Sequence, residues 1–383
     1  MDNLYKIFTG FLQMSWDIYW GLAFGFILSS LVRAFVSTES ISTRLGKNSV
    51  AAIALSTFFG AVSSSCSYAA ASMSRTLLVK GATWSNAVVF MVASTNLVFE
   101  IFIVIVTLLG WSFFAGEVLG GLFFIVISAS LIAWFYPSKT KKEAMQKIAD
   151  SEKTGSSNDS HAQHHSMDHS MHQNHAQHPD HSMQPASEKR LKPKLKAAAG
   201  YFYMDVTMVG KDILIGVAIA SILMVLVPAS IWKSLFLSDN SNLPHIVVLM
   251  WNDLVGILIA IFAFVCSVGN IVMAVVLWKG GISFGGVIAF ILADLVTVPM
   301  LMVYKSYYGF RTMWALLLVL SISIFFTALL VDFSFASLHW IPEHHGTGMQ
   351  QMEHFQWNRQ AWLNVFFIPL SLVYFFVGKR SMK

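Results

Sequence analysis

Long apolar runs separated by short polar breaks dominate the chain. Seven of them, 15–36, 86–110, 114–136, 212–232, 282–304, 310–331 and 362–378, approach the roughly 20 residues that a helix needs to cross a bilayer core. Two further stretches, 48–80 and 245–279, are apolar but interrupted at their middle by small polar residues around Cys66 and Cys266. In the first, Val50–Val62 would give only about 20 Å of helix, short of the roughly 30 Å core. The pattern predicts broken helices or re-entrant hairpins there. Non-helical backbone at that depth is tolerated only against protein or a polar cavity, so both breaks should face inward.

The two interrupted stretches are related. Cys66-Ser67-Tyr68 returns 200 positions later as Cys266-Ser267-Val268, and Met73, Leu77, Gly81, Phe90 and Ala93 align with Met273, Leu277, Gly281, Phe290 and Ala293 without a gap. A duplicated unit of this kind is the sequence mark of a repeat-built transporter. Each unit contains an odd number of crossings, three full spans plus a hairpin or five if the hairpin crosses, so the second must be inverted relative to the first. The expected fold is an all-α polytopic integral membrane protein with two inverted repeats, broken or re-entrant helices and one extra C-terminal span. Its divisions are a first repeat over 1–136, a hydrophilic linker over 137–200, a second repeat over 201–331, and an outer loop with a last helix over 332–383.

Composition narrows the class. With 56% hydrophobic and 12% charged residues and a mean hydropathy of +0.62, the chain is not a soluble globular protein. The net charge of +5 therefore bears on orientation in the bilayer and not on nucleic acid. Arg33, Arg44, Lys47, Lys139, Lys141, Lys142, Lys147, Lys192, Lys194, Lys196, Lys305, Arg311, Lys379 and Arg380 can all be cytoplasmic at once. That puts the N-terminus outside, and the linker and C-terminus in the cytoplasm. The two cysteines sit in apolar runs and suggest no disulfide framework. The first run is too long for a signal-peptide core and is expected to stay as a span. No phosphate-cradling Gly-Lys-Ser/Thr loop, His-Glu-x-x-His or Gly-x-Ser-x-Gly pattern occurs, which argues against ATP hydrolysis and against an enzyme.

Two regions carry candidate chemistry. The linker holds eight of the thirteen histidines and three copies of His-Ser-Met. His161, His164, His165, Met167, His169, Met171, His172, His175, His178, His181 and Met183 offer imidazole and thioether donors suited to Cu(I) or another soft or borderline ion. Such a segment cannot bury a core and is expected to be disordered. A second Met/His group, His344, His345, Met349, Met352 and His354, falls in the segment assigned outside. In the membrane, Cys66 and Cys266 are candidate soft-metal ligands, with Ser63, Ser64, Ser65, Ser67 and Asn270 as polar contacts. Met73 and Met273, seven residues on, would share a helix face with them. Ionisable residues inside spans cost roughly 2.5–3.5 kcal/mol on insertion scales and mark pathways. Glu100, one turn after Asn96, and Asp294 are therefore candidate proton or cation relays, and Asn252, Asp253 and Arg75 lie within the hairpins.

These residues carry a resemblance. Val265-Cys-Ser-Val-Gly-Asn270, Leu277-Trp-Lys-Gly-Gly-Ile-Ser-Phe-Gly-Gly286 and Ala293-Asp-Leu295 look like the second signature of the bacterial predicted permeases, the family that contains the ArsP-type organoarsenical exporters. Ser63-Ser-Ser-Cys-Ser-Tyr68 through Ala93-Ser-Thr-Asn-Leu97 is similar to the first. The first signature here has one cysteine and no Cys-x-Cys pair. The resemblance implies a permease of the bacterial inner membrane. The combined expectation is a secondary transporter exporting a soft heavy-metal or metalloid species, with proton coupling and no resident cofactor, copper or another soft ion being transient cargo. The alternative is a membrane-anchored metal reservoir or sensor working through the linker.

Overall fold

The computed structural model describes residues 2–35, 46, 49–63, 67–135, 141, 143–147, 188–237, 244–263, 267–342 and 359–381. The first half contains α1 (Asp2–Phe35), α2 (Val50–Ser63), α3 (Ser67–Val79), α4 (Trp84–Asn96), α5 (Phe99–Leu108) and α6 (Trp111–Phe135). The second contains α7 (Glu188–Leu226), α8 (Ala229–Phe236), α9 (His245–Phe262), α10 (Ser267–Gly280), α11 (Phe284–Leu292), a 3-10 turn (Ala293–Val296), α12 (Val298–Tyr308) and α13 (Phe310–Ser337); α14 (Arg359–Ser381) follows. No strand occurs among the described residues. Among the described residues, five helical segments are long and apolar enough to cross a membrane, and α4 with α5 makes a sixth if that pair, bent by 42°, counts as one span. The protein is an all-α polytopic membrane protein.

Three expectations shift in detail. The apolar run 86–110 is two helices, because Val98 adopts an extended conformation between them. The run 212–232 is cut at Val227–Pro228, since proline disfavours helix in the residue before it. Helix α7 begins at Glu188, inside the stretch expected to be linker, and the buried Ala198 and Ala199 show why. Gly378 of α14 packs on the Ala199 carbonyl too closely for any side chain.

The halves match element by element. Gly81 and Gly281, with φ of +93° and +97°, end the α2–α3 and α9–α10 pairs. Thr83 and Ser283 then cap the next helix, their hydroxyls accepting from the amides of Asn86 and Gly286. Gly110 and Gly309, both at φ +96°, precede α6 and α13.

Specific contacts give their directions. Ser85 Oγ donates to the Ala129 carbonyl, and Gly121 packs on Leu97, so α4 and α6 run antiparallel. Gly116 packs on Phe284, and Gly120 on Ile288 and Leu292, so α6 and α11 run parallel. The matched helices α4 and α11 therefore point in opposite directions. Gly286 meets both Asn252 of α9 and Ile282 just after α10. Helix α9 thus enters and α10 returns on the same side, although α9 alone has the length of a short span.

Candidate transport centre

Helices α3 and α10 open at Ser67 and Ser267, the residues that follow the two cysteines. Their hydroxyls meet across the molecule. Ser67 Oγ donates to Asp294 Oδ2 at 2.9 Å, and Ser267 Oγ donates to the same oxygen at 2.6 Å. The two hydroxyl oxygens lie 3.3 Å apart. One carboxylate oxygen from the second repeat is thus held by the equivalent serine of each repeat. The positive ends of α3 and α10 face it as well, which favours a negative charge at that point.

Asp294 reaches this position because its helix changes pitch. The 3-10 turn follows α11, with Thr297 extended before α12 begins. Thr297 Oγ1 donates to the Asp294 carbonyl at 3.4 Å, and Tyr304 OH donates to the Leu295 carbonyl at 3.1 Å. Asn96, at the equivalent break between α4 and α5, faces the same carboxylate. Its Nδ2 donates to the Val92 carbonyl at 3.3 Å and to Thr95 Oγ1 at 3.1 Å, while its Oδ1 has no partner.

Asn270 lies one turn into α10, fully buried, with neither amide atom hydrogen-bonded. Asp294 Oδ1 is unpartnered too. Unpartnered polar atoms at membrane depth are costly, and their gathering around a helix break marks a place built to receive something polar. Among the described residues no group of three or more His, Cys, Asp or Glu side chains could hold a metal ion.

The sequence candidates divide. Ser67, Asn96 and Asp294 come together, and Asn270 stands one turn from Ser267. Glu100 is directed elsewhere, its Cγ only 2.8 Å from where a Cβ on Gly25 of α1 would sit. Cys66, Cys266, Ser64, Ser65, the linker ligands His161 to Met183 and the group His344 to His354 lie outside the described residues.

Two buried acids escaped the sequence reading. Glu117 on α6 is fully buried with both carboxylate oxygens unpartnered. Asp332 on α13 is 1% exposed. The rule applied to Glu100, a charge well inside an apolar run, would have found Glu117.

A family of predicted permeases matches residues 3–333 of this chain. The chain belongs to that family. The relative named "Putative permease Rv2963" of Mycobacterium tuberculosis is 36% identical over 338 residues, which cover 88% of this chain and 78% of the relative. No solved structure matches. Membership in the predicted-permease family supports a membrane transporter, and the match embraces every residue of the Asp294 centre. Helix α14 lies beyond the matched part of the permease.

Proposed function

We propose that the protein is a secondary-transport permease that exports a soft heavy-metal or metalloid species across the bacterial inner membrane, through the centre where the two hairpins meet. The observation that carries this reading is the sharing of Asp294 Oδ2 by Ser67 and Ser267. A cysteine precedes each of those serines in sequence, so a cargo seated there has two thiols, two hydroxyls and one carboxylate as candidate contacts. Thiolates suit a soft ion, and two of them allow release where four would trap it.

The hydroxyl count supports proton coupling at the same point. Each serine owns one proton. While Asp294 is ionised, both protons go to Oδ2 and the two hydroxyls cannot bond each other. Once Oδ2 carries a proton it donates to one serine, whose own proton then turns to the other serine. Protonation thus exchanges a carboxylate that grips both hairpins for a chain that links them more weakly, since bonds to an ionised acceptor are the stronger kind. Cargo and proton would compete for one oxygen, which is the minimum requirement for antiport.

The test is uptake of Cu(I), Ag(I) and an organoarsenical into inside-out proteoliposomes under an imposed pH gradient. Cys66→Ser and Cys266→Ser should each abolish flux while the protein folds normally. Asp294→Asn should leave a slow flux that no longer follows the gradient. Parent-level, gradient-driven flux in all three variants would remove the centre from the pathway. Deleting 155–186 should leave transport intact; its loss would favour the reservoir reading.

A further inference from the structure

A second polar cluster is buried at the other end of α11. Asp332 Oδ1 accepts the amide of Gly285 at 2.6 Å, while its Oδ2 has no partner. Asp253 on α9 is fully buried, and neither of its oxygens is hydrogen-bonded. Its neighbour Asn252, 2% exposed, also leaves Oδ1 unpartnered. Asp253 and Asp332 come together, with Asn252 beside Asp253 in sequence, because glycines let the backbones close. A Cβ on Gly285 would sit 2.5 Å from Asp332 Oδ2, and one on Gly286 would sit 3.0 Å from the Asn252 carbonyl. Asp253 and Asp332 are near enough to interact electrostatically.

The unpartnered atoms are all acceptors. Four oxygens, two from Asp253 and one each from Asp332 and Asn252, make no hydrogen bond, and the one neutral donor facing the pair is the Ser283 hydroxyl beside Asp332. The N-terminus of α11 is already answered by Asp332 Oδ1, so it does not offset the second carboxylate. Two buried carboxylates without a counter-charge are not sustainable in a low dielectric, and only a cation relieves both. Hard oxygen donors without thiol or imidazole do not suit a soft ion. We infer that Asp253, Asp332 and Asn252 form a binding site for one hard cation, a proton or a sodium ion, distinct from the Asp294 centre.

The site exists in one repeat only. Counting back 200 positions, Asn252 and Asp253 correspond to Ala52 and Ile53; by the 199-residue offset of the matched Gly110 and Gly309, Asp332 corresponds to Ala133. Helix α11, of 9 residues, separates it from Asp294 by about 13 Å. The other titratable groups on α9, α13 and the elements packed against them are Asp294 on the 3-10 turn, Glu117 on α6, Lys233 on α8, Lys305, Tyr304, Tyr307 and Tyr308 on α12, Arg311 at the start of α13, and the exposed His245 and His339.

The experiment needs no transport, so its failure is separable from failure of the permease mechanism. Thermal unfolding of the full-length protein in detergent is followed with sodium or choline chloride at equal ionic strength, over a series of pH values. A saturating rise in Tm with sodium, absent in Asp253→Asn and Asp332→Asn but kept in Asp294→Asn, identifies the ion as sodium. A Tm difference between parent and the same two variants that changes with pH but not with sodium identifies it as a proton. If both variants respond like the parent to sodium and to pH, or if only Asp294→Asn loses the response, the inference is overturned. Should either variant fail to fold, the unmodified protein is treated with an apolar carbodiimide and mapped by mass spectrometry. Labelling at Asp253 or Asp332 should fall as sodium or pH rises; labelling that is absent, or indifferent to both, overturns the site.

Discussion

At the scale of single residues the centre depends on two small hydroxyls. Ser67→Ala or Ser267→Ala removes one donor from a buried carboxylate oxygen and should cost about 1.5–3 kcal/mol if that carboxylate is ionised. The double variant should lose more than the sum, because the last donor is then gone. A double-mutant cycle on Tm in detergent reads the excess; strict additivity would mean the hydroxyls do not share one acceptor. Part of this site is legible in the sequence. Ser67 and Asn270 stand beside the matched cysteine motifs, and Asp294 is a charge inside an apolar run. Asp332 is hidden because it falls one residue past the run ending at Val331, where an aspartate reads as the start of a loop. Nothing in the sequence says which way Glu100 turns, since that is decided by the small residue facing it, Gly25.

Elements follow from backbone constraints that repeat in both halves. Gly81 and Gly281 adopt positive φ where a hairpin returns to the next helix, and nothing crowds a Cβ built on Gly81. Gly81→Ala should therefore cost about 1–3 kcal/mol from backbone strain alone. Chemical or thermal unfolding in detergent measures it, and an unchanged midpoint would show that the turn relaxes. Gly256 is a different case, because a Cβ there would run into the Gly286 carbonyl. Gly256→Val must push α9 from α11, which should cost about 1–3 kcal/mol and loosen the Asp253–Asp332 contact as well. Helix presence and the two hairpins are readable from apolar run lengths. The split of 86–110 is not, because Leu97 and Val98 are apolar like their neighbours and only tertiary packing sets the bend.

For the whole molecule, the antiparallel matched helices place Lys80, Lys305 and Arg311 at one face, where Arg311 pairs with Glu143 at 2.6 Å and Lys147 Nζ donates to the Lys305 carbonyl at 2.7 Å. Trp111 and Leu338 mark the other face. In a background without cysteine, Lys80→Cys and Lys305→Cys should react with an impermeant maleimide from one side, and Trp111→Cys and Leu338→Cys from the opposite side. Same-side labelling of all four would refute the inverted arrangement. Helix α14 is tied on by Asn364, whose side chain bridges the Trp20 amide at 2.9 Å and the Trp16 carbonyl at 2.6 Å, within the hydrogen-bond ladder of α1. Asn364→Leu should return that bond to α1 and weaken the hold on α14, detectable as faster proteolysis near residue 359.

The meeting of the hairpin tips at Asp294 also has an electrical meaning. A tip entering from each face and stopping at one carboxylate sets that carboxylate near half depth, so an ion arriving there has crossed about half of the membrane voltage. At roughly 2.3 kcal/mol per elementary charge per 100 mV, half the field is worth about 1.2 kcal/mol, or about a sevenfold change in apparent affinity. The Asp253–Asp332 pair lies nearer one face and feels a smaller fraction. Reached from that nearer face, the hard-cation site proposed there would feel voltage less than the Asp294 centre, so a change in membrane potential would shift binding at the two sites by unequal factors.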